Sequence, residues 1–514
     1  MKRQVSYKMS KSAFGWELIK WLLLLLTAFL GAMVLSSLIP QRAWLGVVIV
    51  SAVVLFAFLV YGSKHFVPAK YFYAGLVLLL AFQVWPTIYT VSIAFTNYGD
   101  GHLLSKEESI DLIEKDSFQE IPDGSRYDLT YLRAKDGLSS KIVALLKDQD
   151  GNYVLGSSEG LSSVDSADVV QEDGRDTIAG YSPLNAKQIS GNDALKTFSI
   201  PKENSVIRPL GLNSAVEGVL SMRYDSRTDT IVDQSNGVTY SAREGNWVGS
   251  NGEILPQGWR EYVGWNNFYQ VISDPVIRSG FISIFIWNCA FALLSVLSTF
   301  ILGLICALIF NSRHLHGKGV GRAILILPYA IPGFVSALVW KSMFNQEFGL
   351  INTLTGLSID WLGGSLSAKG AVLLTNLWLG FPYMFLVCLG ALQSIPNELN
   401  EAATIDGASL TKRTVSITLP LLLTAVGPLL VASFAFNFNN FGLIYLLTGG
   451  GPFTGNNITV GDTDLLITYA FRLAFGGTGD NYGLASAVSI FIFVLVAAMG
   501  AIGFGRSKAW EDMR

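Results

Sequence analysis

Long apolar runs without a single charged side chain recur along this chain. They lie near residues 21–39, 44–61, 71–96, 279–311, 323–340, 370–395, 414–447 and 481–505. A bilayer core is crossed by about 20 apolar residues in helical conformation, and each run meets or approaches that length. The pattern predicts an all-α polytopic membrane protein of eight transmembrane helices. Between the third and fourth runs the periodicity changes. "KIVALLKDQDGNYVLGSS" sets two apolar stretches around Asp150-Gly151, and "TIVDQSNGVTYSA" does the same around Asn236-Gly237. Both are hairpin signals. Ser105 with Glu108 forms a capping box that opens a short helix. The pattern therefore predicts a β-rich domain inserted between helices 3 and 4. The expected division is residues 1–96, 97–278 and 279–514.

Charge sharpens the picture. Only 15% of the 514 residues are charged, against roughly a quarter in soluble domains. From Asp100 to Asp274 there are 16 basic and 28 acidic residues, a net of −12, so the formal −3 of the whole leaves +9 elsewhere. Basic residues gather at Lys2, Arg3, Lys8, Lys11 and Lys20, at Lys64 and Lys70, at Arg313, Lys318 and Arg322, at Lys412 and Arg413, and at Arg506, Lys508 and Arg514. These segments alternate along the chain and fall on one side. Positive loops face the cytoplasm, so both termini are expected there and the acidic insertion outside. The basic start and first apolar run lack a small-residue cleavage site and are read as an uncleaved anchor.

Metal and redox chemistry find little support. Cys289, Cys306 and Cys388 lie within spans, and His65, His102, His314 and His316 are scattered. The many carboxylates of the insertion read as a solvated surface, and a domain of this size outside the membrane is expected to dock a protein. Pro86, Pro328, Pro332, Pro382, Pro420 and Pro428 lie in or at spans, where neighbours can re-satisfy the carbonyls they free.

Three spans carry polar stripes. Ser433, Phe436, Asn437 and Asn440 stand at i, i+3, i+4 and i+7, the spacing of one helical face. Asn376, Leu379, Gly380 and Tyr383 repeat it in the sixth span, and Tyr329 with Gly333 follows in the fifth. Helix packing is one explanation, because small and amide side chains join helices in membranes. The other is a pathway for a neutral, hydroxyl-rich solute. Amides both donate to and accept from hydroxyls, and aromatic rings cover the apolar faces of pyranoses. Ions, phosphates and amino acids would call for charged groups within the spans.

One connecting loop, residues 394–416, carries the most specific signal: "EAATIDGASLTKRTVSITLPLL". Glu401, Ala402 and Ala403 favour a helix with a small face. Gly407 stands where that helix would end, and Ser409 can cap a second. The segment resembles the EAA loop of ATP-binding-cassette importer permeases, E-A-A, three residues, G, nine residues, I-x-L-P. Glu401-Ala402-Ala403, Gly407, Ile417 and Leu419-Pro420 fill every position. "LILPYAIPGF", "NLWLGFPYM", "SFAFNFNNFG" and "LLTGGGP" extend the resemblance to the larger membrane subunit of bacterial maltose/maltodextrin importers. It is strong over about residues 66–95 and from 265 onward, and weaker in the insertion.

The resemblance implies a type I importer permease in a bacterial inner membrane. In that family the EAA loop docks on an ATPase, giving coupling roles to Glu401, Ala402, Ala403 and Gly407. The sugar sits midway across the membrane, which by motif position implies Tyr329, Asn376, Leu379, Gly380, Tyr383, Ser433, Phe436, Asn437 and Asn440. Gly333 departs from the family's serine and loses a hydroxyl. The implied partners are a second permease subunit, an ATPase homodimer that binds ATP and Mg, and a periplasmic maltose-binding protein, besides maltose or maltodextrin and membrane lipid. No nucleic acid is implied. This chain carries no GxxxxGK[ST] motif, so no cofactor of its own is expected and hydrolysis is assigned to a separate chain. Asn457-Ile-Thr459 reads as a chance sequon. The competing readings are a permease for another neutral oligosaccharide, a non-transporting membrane receptor or assembly protein, and an intramembrane enzyme, which the lack of nucleophile–base pairs disfavours.

Overall fold

The computed structural model describes residues 11–506, except 64–66, 123, 136–141, 173, 193–194, 196–197, 204, 313–315, 454–459 and 477–478. His65, His314, the sequon at Asn457, and the basic residues Lys2, Arg3, Lys8, Lys64, Arg313, Lys508 and Arg514 lie outside the described residues. The chain divides into two compact units, residues 1–92 and 93–514.

The first unit holds helices α1 (Lys11–Leu38), α2 (Trp44–Gly62), α3 (Val67–Leu79) and α4 (Trp85–Ile93). A π-turn at Leu80–Val84 joins α3 to α4 in one 27-residue span. The next proline, Pro86, has no N–H to give the helix ladder, and a local change of winding accommodates it. Leu22, Leu25, Phe29, Phe72 and Phe82 are exposed. In water such a surface would be untenable; against lipid tails it carries no penalty. Where α1 meets α2, a Cβ on Gly31 would stand 2.6 Å from Val54 Cγ2. The Tyr73 hydroxyl donates to the carbonyl of Val53 and ties α3 to α2.

The second unit begins with the predicted capping box. Ser105 accepts from Glu108 N–H while the Glu108 carboxylate accepts from Ser105 N–H, starting α5 (Lys106–Asp116). Antiparallel strands follow: β1 (Phe118–Glu120), β2 (Arg126–Ala134), β3 (Ile142–Lys147), β4 (Tyr153–Ser157), β5 (Gly160–Val164), β6 (Val169–Glu172), β7 (Arg175–Ile178) and β8 (Tyr181–Pro183). After α6 (Ala186–Ser190) come β9 (Ile200–Lys202), β10 (Ser205–Pro209), β11 (Ser214–Leu220), β12 (Met222–Asp225), β13 (Thr230–Asp233), β14 (Thr239–Arg243) and β15 (Asn246–Gly249).

Among the described residues the larger sheet runs β5-β4-β3-β2-β11-β10-β9, with β1 on β11 and β8 on β2. It curls until β5 and β9 pack together. Leu129, Tyr131, Ala144 and Leu146 fill one face with Ile200 and Ile207. Leu132, Val143 and Leu145 fill the other. Both predicted hairpins form, β3–β4 through Gly151 at φ 89° and β13–β14 through Gly237 at φ 75°. The smaller sheet, β12-β13-β14-β15, packs Ile231, Tyr240 and Trp247 against Ile113 of α5. Trp247 Nε1 donates to Ser109 Oγ at 3.0 Å, and the Ser109 hydroxyl in turn donates a hydrogen bond to the carbonyl of Gln257.

Two asparagines tie this insertion to the helices. Asn97 donates to the carbonyl of Trp259 and accepts from Glu261 N–H. Asn267 on α7 (Asn266–Ser273) donates to the carbonyls of Ala94 and Thr96 at 2.9 and 2.8 Å.

The helical part continues with α8 (Pro275–Asn311), α9 (Lys318–Ala330), α10 (Gly333–Met343), α11 (Leu350–Thr355), α12 (Ser365–Ser394), α13 (Asn397–Ile405), α14 (Leu410–Arg413), α15 (Leu419–Phe438), α16 (Phe441–Leu447), α17 (Leu466–Phe475) and α18 (Tyr482–Arg506). Among the described residues seven helical segments are long and apolar enough to cross a membrane, and α9 with α10 makes an eighth only if counted across an 89° bend. Pro332 causes that break. The residue before a proline is pushed out of the helical region, and Ile331 sits at φ −86°, ψ 132°.

Two expectations need correction. Tyr329 and Gly333 are not one turn apart on one helix; they flank the bend. The stripe of Ser433, Phe436, Asn437 and Asn440 does not share one helix either. Helix α15 ends at Phe438, and Asn440 caps α16 by accepting from Leu443 N–H at 3.4 Å. Asparagine side chains compete for backbone hydrogen bonds and favour caps over helix interiors. The seventh apolar run thus ends at residue 438 as a span, not at 447.

Candidate functional site

The broken helices surround a cavity of about 720 Å³, within the size range of small-molecule sites. Its lining includes all nine residues expected from the stripes: Tyr329, Asn376, Leu379, Gly380, Tyr383, Ser433, Phe436, Asn437 and Asn440. Gly333 joins them. The bend between α9 and α10 brings Tyr329 and Gly333 to the same space from two helices. The break after Phe438 does the same for Asn437 and Asn440.

The amides form a directed chain. Asn440 Nδ2 donates to Asn376 Oδ1 at 3.2 Å. Asn376 Nδ2 donates to Asn437 Oδ1 at 2.8 Å. Asn437 Nδ2 donates to the carbonyl of Ser433 at 2.8 Å. Each amide uses one of its two N–H groups and keeps a second, along with spare acceptor capacity. Packing and presentation are therefore compatible here, since the amides lock one another while retaining polar valence. Beside them, the rings of Phe436 and Tyr329 are 72% and 58% exposed. No charged side chain lines the cavity among the described residues. The arrangement suits a neutral solute with hydroxyls on its rim and apolar faces.

Periodicity missed several lining residues. Thr299 of α8, Phe334 of α10 and Leu443 and Leu446 of α16 also border the cavity. The signal that could have found Thr299 is the helical-face spacing of Asn288, Ser295 and Thr299, at i, i+7 and i+11 in the fourth apolar run. A buried ion pair was missed too. Asp464, fully buried, accepts from Nη1 and Nη2 of Arg472, from Thr468 Oγ1 and from Gly461 N–H. It lies beside α17, too short a helix to count as a span.

The EAA segment forms α13, and its end is a Schellman motif. Gly407 at φ 76° donates to the carbonyl of Thr404, and Ala408 donates to that of Ala403. Ser409 then caps α14 by accepting from Lys412 N–H. Glu401 and Ala402 are exposed while Ala403 is buried. Ile405 and Leu410 flank the turn at 87% and 72% exposure. This is an unpartnered apolar tip beside an exposed carboxylate.

Residues 77–159 match the family described as the N-terminal region of the membrane subunit in PBP-dependent ABC transporters, and residues 299–504 match the binding-protein-dependent transport system inner membrane component. The chain is 37% identical over 488 residues to the maltose/maltodextrin transport system permease protein MalF of Vibrio vulnificus, covering 90% of this chain and 89% of that one. The corresponding proteins of Klebsiella aerogenes and Yersinia pestis are 34% and 32% identical, covering 86% and 97% of this chain and 87% and 96% of theirs. Among solved structures, a bacterial ABC transporter that imports the acidic polysaccharide alginate is similar at 23% identity and a TM-score of 0.42, over 48% of this chain and 84% of that one.

Proposed function

The chain belongs to the MalF family of maltose/maltodextrin transport system permease proteins, and from that premise we propose that its cavity carries maltose and maltodextrins across a bacterial inner membrane. It is a multi-pass transport subunit, and ATP hydrolysis belongs to a separate chain. The observation that carries the substrate reading is the uncharged cavity lined by a chain of three amides and by the exposed Phe436 and Tyr329. A second permease subunit would complete the lining on the side where Tyr329 and Phe436 stand open.

The proposed cycle is alternating access. An ATPase homodimer, holding ATP and Mg, would close under the α13 tip, with Glu401, Ala402, Ala403 and Gly407 as the contact. Closure would open the cavity outward to receive sugar from a periplasmic maltose-binding protein docked on the insertion. Both termini would then be cytoplasmic. The proposed parts are residues 1–96, the periplasmic residues 97–278, and the permease core 279–514.

One observation favours a sister specificity. A Cβ at Gly333 would meet nothing within 4 Å, so this wall is more open than a serine would leave it. The test is uptake of labelled maltotriose into liposomes holding the assembled importer and its binding protein. Uptake requiring ATP and the binding protein supports the reading. ATPase stimulation by a binding protein loaded with another sugar, without maltotriose uptake, would keep the importer and replace the substrate.

A further inference from the structure

We propose that Thr299 of α8 is a specificity-determining wall residue that holds position 380 to glycine; the inference rests on the sugar-cavity reading above. Thr299 lines the cavity although only 3% of its surface is exposed. Its hydroxyl donates back to the carbonyl of Ser295 at 2.7 Å. That bond fixes the rotamer, because a β-branched side chain in a helix has few alternatives. The methyl group is thereby aimed at α12. A Cβ built on Gly380 would lie 2.9 Å from Thr299 Cγ2, closer than two carbons can approach.

Relieving that contact would mean parting two tightly packed helices. One turn further along both, a Cβ on Gly303 would meet the backbone of Met384 and Phe385 at 2.7 Å. The two main chains already touch there. Gly303 and Met384 stand four residues beyond Thr299 and Gly380, so the crossing is pinned beside the cavity wall. Gly380 is consequently bare because α8 forbids a side chain, and the solute can lie directly on the α12 main chain. Thr299 acts on the solute through Gly380, by setting how far this wall stands back.

The experiment uses the assembled importer in liposomes with Thr299→Ser, Thr299→Val, Gly380→Ala, Gly380→Ala with Thr299→Ser, and Gly380→Ala with Thr299→Val. Uptake of maltose and maltotriose is measured beside thermal melting and binding-protein-stimulated ATPase. One methylene in a pocket changes discrimination by about tenfold or more. Gly380→Ala is expected to cut uptake about tenfold with ATPase stimulation retained. Thr299→Ser, which removes only the methyl, restores uptake in the double variant, whereas Thr299→Val, which keeps that methyl, does not. Thr299→Ser alone shifts the maltotriose-to-maltose ratio by about threefold, without change in melting. A double variant left unrescued, or an unshifted ratio, overturns the wall assignment. Asn437→Ala serves as control: if it also leaves uptake intact, the cavity reading itself has failed.

Discussion

Asn288 of α8 holds the end of α15: its Nδ2 donates to the carbonyl of Phe438 at 2.9 Å, and its Oδ1 accepts from Leu466 N–H at 2.8 Å. Asn288 is fully buried. One amide thus satisfies two backbone groups that the break after α15 and the start of α17 leave open. Asn288→Leu removes both partners and leaves two orphaned groups at about 1–3 kcal/mol each. A lower melting temperature of the purified complex, with reduced uptake, is the expected outcome. Unchanged melting would remove this role.

Asn437→Ala breaks the amide chain at its centre, costing Asn376 its acceptor and the carbonyl of Ser433 its donor. Uptake per molecule should fall about tenfold to a hundredfold, by loss of one to two hydrogen bonds. Quantitative immunoblotting normalises the rate. A drop in abundance with uptake per molecule preserved would mean that the amides only pack.

Gly333→Ser should be tolerated, since nothing stands within 4 Å of its Cβ position. Expression and melting are expected to match the parent. The added hydroxyl narrows the cavity, so the order of preference among maltose, maltotriose and longer chains should shift. An unaltered order measured by competition uptake would place Gly333 outside the path.

Glu401→Lys reverses the charge at the exposed tip without touching the core. The variant should insert normally, with ATPase activity no longer driving uptake. Gly407→Val attacks the same coupling differently. A β-branched residue at φ 76° costs about 1–2 kcal/mol and would unseat the Schellman turn. Normal sugar accumulation by either variant would count against the docking role.

The pair Lys202–Glu217 joins β9 to β11 at 2.7 Å. Burial pushes the Glu217 carboxyl up, but hydrogen bonds from Lys202 and Ser205 outweigh it and hold it below the usual carboxylate value. A depressed folded pKa adds stability that is present above the unfolded value of about 4.3 and lost as pH falls through the folded value. Amide exchange in β11, corrected for intrinsic rates, should therefore lose protection below about pH 4. Glu217→Gln should flatten that dependence; an identical profile would refute it.

Much of this was legible in the sequence because the physics was local. Ser105–Glu108, Asp150-Gly151 and Asn236-Gly237 decide their turns with neighbours alone, and the structure forms all three. The nine stripe residues converge for a less direct reason. Periodicity placed them on continuous helices, whereas Pro332 and the cap at Asn440 break those helices and still deliver the residues to one cavity. Asn288, Ser295 and Thr299 stand at i, i+7 and i+11 on one face of α8, a spacing the sequence carries, but their partners are not legible there. The roles of Thr299 and Asn288 depend on Gly380 and Phe438, 81 and 150 residues away. Asp464 and Arg472 lie between the seventh and eighth apolar runs, and nothing in the sequence marks them as buried or paired.

The 89° break at Pro332 leaves α10 beginning at the cavity wall with main-chain N–H groups that no i−4 carbonyl can reach. Those donors belong to the peptide backbone, and no point substitution short of proline deletes them. If the cavity carries the solute as proposed, side chains around it can drift and retune which solute is preferred, while these backbone donors remain. Under the proposed function this separates tolerance from selectivity: the kink would keep the path passable to hydroxyls, and the amides and rings would decide among the solutes that use it.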